Sequence, residues 1–140
     1  VVYVNNAGNT MQALDAKTGE LIWENKYGTN AGAAAMRGIA IYDDKVFAAT
    51  DDAHLVALDA RTGKTVWETV IGDRSKGNYG ASSGPLVAKG KVIQGLRNCE
   101  TYREEKCFIS AYDAATGKLT PTGQTVSVGS PVCIDFLAVD

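Results

Sequence analysis

The chain has 140 residues, of which 45% are hydrophobic and 21% charged, and its net charge is −2. That is globular composition at the length of one domain, and it excludes an intrinsically disordered segment. Charges of both signs are scattered along the chain, which excludes the basic face a nucleic-acid partner needs, and no run approaches the roughly 18 apolar residues of a membrane span.

In chain order, "VVYV" reads as the middle of a strand, and "MQALDAKTGELIWEN" follows as strand, tight connection, strand. Asp15 can accept hydrogen bonds from the N–H groups of its own turn, and Thr18 can add its hydroxyl. Gly19 supplies the positive φ that a short hairpin with a bulge requires. Leu21 and Trp23 then share one face of the second strand by the two-residue period.

The same phrase returns. "ALDARTGKTVW" runs from Ala57 to Trp67, with Asp15 to Asp59 and Trp23 to Trp67 both 44 residues apart. A third copy begins "AYDAATGKL" at Ala111, and its Asp113 stands 54 residues after Asp59. Lys-Val recurs at Lys45–Val46 and at Lys91–Val92, 46 residues apart, so most of the extra length falls between Gly95 and Ala111. No stretch keeps a 3.6-residue apolar period with caps, and no helix is expected.

A unit of this length with several short strands and a recurring Trp matches a β-propeller blade. The expected fold is all-β. One blade cannot bury both its faces, and stacking blade on blade buries them, with Trp23 and Trp67 wedged between neighbours. Three copies fall short of the four to eight blades of a closed ring. The chain is therefore expected to be a piece of a longer protein, with propeller blades over residues 1–118. Residues 119–140 form a divergent or truncated segment, in which Pro121 stands where the repeat expects a third Trp.

"ALDAxTGxxxW" resembles the tryptophan-docking repeat of quinoproteins, the dehydrogenases that use pyrroloquinoline quinone (PQQ). The segments between the repeats extend the resemblance in matching order over residues 1–118. They are "MRGIAIYDDKVFAATDDAHLVALDARTGKTVW", "SSGPLVAKGKVIQGL" and "CETYREEKCFISAYDAATGK". The resemblance implies about three blades of an eight-bladed propeller. It also implies oxidation of alcohols with PQQ and a bound calcium-type ion, a periplasmic location, and an electron acceptor such as a cytochrome c. Similar repeats occur in non-catalytic propellers such as the lipoprotein of the outer-membrane assembly machinery. A scaffold or binding module of that kind is the alternative reading, and a structural repeat fragment without activity of its own is another.

Carried over residue by residue, Arg37 matches the family arginine that hydrogen-bonds the cofactor, where a guanidinium fork suits carbonyl or carboxylate oxygens. Ser82, three residues before Pro85, matches a hydroxyl set against a PQQ carboxylate, with Ser83 as its alternative. Glu100 matches the glutamate metal ligand when counted forward from Gly95, and calcium prefers such hard oxygens. Asn98 is a further cofactor-binding candidate in the same "GLRNCE". The adjacent cysteines that many members carry ahead of the arginine are absent from "AGAAAM" (31–36), which argues against close kinship with the methanol dehydrogenase type. The family's catalytic aspartate is expected beyond residue 140, so no catalytic residue is assigned here.

Cys99 and Cys107 bracket seven residues. A metal–thiolate site normally shows tighter spacing and more ligands, so one disulfide stapling a long loop is expected. Closing so short a ring would contribute roughly 2–3 kcal/mol in the chain-entropy model. Cys133 has no evident partner. His54, the single histidine, occupies a hairpin position and is not expected to be catalytic.

Overall fold

The structure, a computed structural model, describes residues 1–28, 38–98 and 109–119. The described residues form three antiparallel sheets and no helix. β1 (Val2–Asn6), β2 (Thr10–Leu14) and β3 (Leu21–Lys26) make the first. β4 (Ala40–Tyr42), β5 (Lys45–Ala49), β6 (His54–Asp59) and β7 (Thr65–Val70) make the second. β8 (Leu86–Ala88), β9 (Lys91–Gly95) and β10 (Ile109–Asp113) make the third. Every sheet is a meander, with sequential strands side by side.

The repeats are superposable in register. Val2 pairs with Leu14, Val46 with Leu58 and Val92 with Tyr112. Ala13 pairs with Trp23 and Ala57 with Trp67, and in both sheets the register slips just after that alanine. The slip is the expected bulge. Asp15 Oδ1 accepts the N–H of Lys17 at 2.7 Å and of Thr18 at 2.9 Å. Asp59 and Asp113 repeat the pattern with Arg61 and Thr62, and with Ala115 and Thr116. The Thr62 and Thr116 hydroxyls also donate to their aspartates, at 2.8 and 3.0 Å. Gly19, Gly63 and Gly117 close the three turns at φ of 75, 71 and 68°, a backbone region with no steric cost only for glycine.

The tryptophans join the sheets. Trp23 Nε1 donates to the Ala60 carbonyl of the second sheet at 3.0 Å, and Trp67 Nε1 to the Ala114 carbonyl of the third at 3.1 Å. Each indole also packs against the next sheet's turn glycine. A Cβ placed on Gly63 would stand 2.4 Å from Trp23, and one on Gly117 2.6 Å from Trp67. Tyr3 and Phe47, equivalent residues of β1 and β5, tilt against the two indoles at ring distances of 5.8 and 5.7 Å. The two-residue period on β3 continues to Asn25, which donates to the Gly63 carbonyl. Leu21, expected on the Trp23 face, is exposed.

Two cores result. Met11, Ala13, Trp23, Val46, Ala48, Val56 and Leu58 fill the space between the first and second sheets. Phe47, Ala49, Leu55, Ala57, Val92 and Tyr112 are among those between the second and third. β5 and β6 are covered on both faces, which explains why "KVFAA" and "LVAL" read as continuous apolar runs rather than an alternation. Each large side chain buried here contributes roughly 1.5–3 kcal/mol. Leu119 pairs with Tyr112, one residue past the expected boundary at 118. Pro121 and Cys133 lie outside the described residues.

Candidate functional site

The connections sort to two ends of the stacked sheets. The three Asp-Gly turns share one end with the hairpins at 43–44 and 89–90, held by Ala60 N–H to Asp44 O and Ala114 N–H to Gly90 O. The opposite end carries the turn at 50–53, the long connection 71–85 and the segment leaving β9. Ala81 N–H donates to Thr50 O and Arg97 N–H to Gly80 O, both across this end. Ser82, Ser83 and Asn98 all lie here.

The inner strands bring two of the candidate segments together. β4 and β8 lie side by side, and just ahead of them Gly38 meets Gly84. A Cβ on Gly84 would stand 2.6 Å from the Gly38 backbone, so only glycine permits this approach. Gly38 follows Arg37 directly, and Gly84 follows Ser82 and Ser83. Both serines are exposed. Arg37 and Glu100 themselves lie outside the described residues, as do Ala31–Met36 and the expected Cys99–Cys107 bridge.

Asn98 sits at φ 63° and its Nδ2 donates to the Asn78 carbonyl at 3.0 Å. Its amide therefore braces the 71–85 connection. Next to it, the Arg97 guanidinium pairs with the Asp51 carboxylate. Arg74 donates to the Asp51 carbonyl and to Asn78 Oδ1, each at 3.0 Å. This polar lattice was not evident in the sequence, because its members come from three separate connections.

Gln94 was also missed. It is buried at 4% exposure on β9, and its Nε2 reaches Gly95 O at 3.0 Å and the Ser83 carbonyl and hydroxyl oxygens at 3.4 Å each. A signal existed: the equivalent positions of the other two repeats hold Val4 and Ala48, and a glutamine breaks that pattern.

His54 takes no part in these contacts. Its Nδ1 faces Asp52 Oδ1 at 3.4 Å and its Nε2 faces Glu68 Oε1 at 3.9 Å. At the same end of the first sheet, Tyr27 donates to Asn5 Oδ1 at 2.6 Å, and burial pushes its phenol up to about 12. The Asp15, Asp59 and Asp113 carboxylates are lowered, by their turn N–H groups in Asp15, by the Thr62 hydroxyl and N–H in Asp59, and by Lys91 and Thr116 in Asp113. Their strong acceptor role is spent on the turns. Among the described residues, no three His, Cys, Asp or Glu side chains gather closely enough to hold a metal. No helix among them is long and apolar enough to cross a membrane.

Known proteins share this arrangement. The quinohemoprotein alcohol dehydrogenase ADH IIB of Pseudomonas putida is 39% identical over 126 residues, covering 85% of this chain and 18% of that protein. The crystal structure of quinohemoprotein alcohol dehydrogenase from Comamonas testosteroni superposes with a TM-score of 0.72 at 34% identity, over 84% of this chain and 18% of that one. A europium-containing methanol dehydrogenase superposes at 0.71 with 30% identity, over 84% of this chain and 22% of that one. The chain thus spans about a fifth of the length of these relatives. The sequence profile of the PQQ family, described as the β-propeller domain of glucose, ethanol and alcohol dehydrogenases, matches residues 1–122, and the chain belongs to that family.

Proposed function

We propose that the complete protein carrying these residues oxidises alcohols with PQQ and a bound metal ion in the periplasm, passing electrons to an acceptor such as a cytochrome c. The observation that carries this reading is the Gly38–Gly84 contact, which sets the residue after Arg37 against the Ser82–Ser83 loop at the connection end. The described residues suit a carboxylate-bearing ligand: Ser82 and Ser83 are exposed at this loop, and a serine hydroxyl can donate to a carboxylate oxygen.

In this reading Arg37 and one of the serine hydroxyls hold cofactor oxygens, Asn98 keeps the neighbouring connection in place, and Glu100 ligates the metal. Calcium suits a glutamate ligand; the europium named for one similar structure is equally oxygen-seeking. When bound, PQQ supplies the two-electron oxidant, and the metal polarises one of its carbonyls. The carboxylate that takes the alcohol proton is assigned to a later blade.

The test uses the complete polypeptide in a dye-reduction assay with a primary alcohol. Glu100→Ala is expected to lower metal-dependent activity by more than about tenfold, equivalent to about 1.4 kcal/mol. Glu104→Ala should stay within about twofold. Equal effects of the two substitutions would remove Glu100 from the metal site.

A further inference from the structure

One position of the repeat changes its chemistry from sheet to sheet. Ala7, Asp51 and Arg97 each stand five residues after the register-equivalent valines Val2, Val46 and Val92. At the connection end the Arg97 guanidinium pairs with the Asp51 carboxylate, so the pair joins equivalent positions of neighbouring sheets. The Arg97 side chain is 30% exposed and that of Asp51 26%, so salt screens the pair less than one on the open surface.

The pair closes over a stretch of backbone. Gly80 O accepts the Arg97 N–H at 2.8 Å, and Ala81 N–H donates to Thr50 O at 3.1 Å. Thr50 precedes Asp51, so the two bonds and the ion pair make a closed ring around Gly80 and Ala81. A Cβ on Gly80 would overlap the Asp51 carbonyl oxygen and stand 2.9 Å from Arg97 Nε, which leaves room for glycine alone. Arg74, earlier in the same connection, fastens the ring by donating to the Asp51 carbonyl at 3.0 Å. Ser82 and Ser83 follow Ala81 directly, and both are exposed.

Two single backbone hydrogen bonds let the root of a loop hinge about them. An ion pair across the same root opposes that hinge, and a planar guanidinium fixes direction as well as distance. We propose that Asp51 and Arg97 form a positioning clasp, which holds the root of the Ser82–Ser83 loop at the place from which the loop meets the cofactor. The clasp acts through the loop and not by touching the cofactor. It rests on the PQQ reading above, and it does not depend on which of the two hydroxyls donates.

Titration of the complete apo-protein with PQQ tests it. Affinity is read by fluorescence quenching well below the thermal midpoint, and the midpoint is read in parallel. Asp51→Asn keeps the shape and removes the charge; Arg97→Met keeps the stem and removes the guanidinium. Each is expected to weaken PQQ binding roughly five- to tenfold, on the scale of coupling through residues that do not touch the ligand. The double variant should be no weaker than the weaker single variant, because both open one clasp. Asp73→Asn, which breaks the exposed pair with Lys76 on the same connection, should bind as the unaltered protein does. A pair that served stability alone would lower the midpoint and leave the affinity of the folded variants unchanged.

The sign of the Asp51→Asn effect decides between a clasp and a direct contact. If Arg97 met the anionic cofactor itself, its release from Asp51 would hold or tighten binding. Unchanged or tighter binding by folded Asp51→Asn, or losses that add fully in the double variant, would overturn the clasp. An unaltered protein that binds no PQQ would instead remove the cofactor reading, and this inference with it.

Discussion

Tyr27 shows at the residue scale how burial and a single partner set a proton. Its phenol is raised from 10.0 to about 12, chiefly because the buried phenolate would lose its water, while the bond to Asn5 acts in the opposite direction. Below pH 10 both folded and unfolded chains hold the proton, so this contribution to stability is fully present. Between pH 10 and about 12 the unfolded chain ionises first, and stability falls as pH rises. The full loss is about 3 kcal/mol, from a shift of two units. Urea midpoints followed across that interval should decline, and Tyr27→Phe should decline less steeply. Some slope should remain, because burial raises the Tyr112 phenol too. An unchanged slope in Tyr27→Phe would show that other groups govern the alkaline limb.

At the scale of the element, the Asp-Gly turn is both a hairpin and a seat for an indole. The three turns have nearly identical backbones, but their glycines meet different surroundings. A Cβ on Gly63 or Gly117 would overlap Trp23 or Trp67, whereas one on Gly19 meets nothing within 4 Å. Gly19→Ala is therefore expected to cost only the positive-φ strain, roughly 1–2 kcal/mol. Gly63→Ala and Gly117→Ala add displacement of an indole, buried in Trp23 and partly buried in Trp67, and loss of its bond to Ala60 or Ala114. They should cost about 3–5 kcal/mol, on the scale of large core disruptions. Denaturant titrations of the three variants check the order, and equal losses at all three would mean that the indole contact contributes little. Sequence alone assigned glycine its turn conformation; the second reason for glycine at 63 and 117 comes from a residue about 40 or 50 positions earlier in the chain.

On the scale of the whole molecule, sheets are joined by indoles at one end and by polar cross-bonds at the other. The described cofactor candidates, Ser82, Ser83 and Asn98, lie at the polar end, on connections rather than on strands. A ligand at that end draws on several blades at once, so affinity depends on how many of them are present. With many contacts missing, the ordering cost of binding remains and the compensating interactions do not. The 140-residue chain mixed with PQQ, calcium and a simple alcohol is accordingly expected to show no steady dye reduction. Sustained turnover by this chain would mean that its own residues include the catalytic base, against the assignment of that group to a later blade.

The repeated strand–turn–strand phrase, its turns and their order were legible in the residues alone, whereas the short inner strands β4 and β8 were not. A 44-residue repeat of Asp, Gly and Trp encodes local physics: an aspartate capping its own turn, a glycine at positive φ, and an aromatic too large to leave in water. It determined the family resemblance for the same reason, because repeat and intervening segments stand in a fixed order. The absence of helix among the described residues was legible too, from the lack of any 3.6-residue period. Tertiary structure decided what touches what across repeats. The seat of Trp23 on Gly63, the meeting of Gly38 with Gly84, and the Asp51–Arg97 pair all join residues 40 or more positions apart. No local pattern reports such a distance. Gln94 lies between the two cases: its departure from Val4 and Ala48 was visible in the repeat, but its reach to Ser83 depends on how the 71–85 connection folds back over β9.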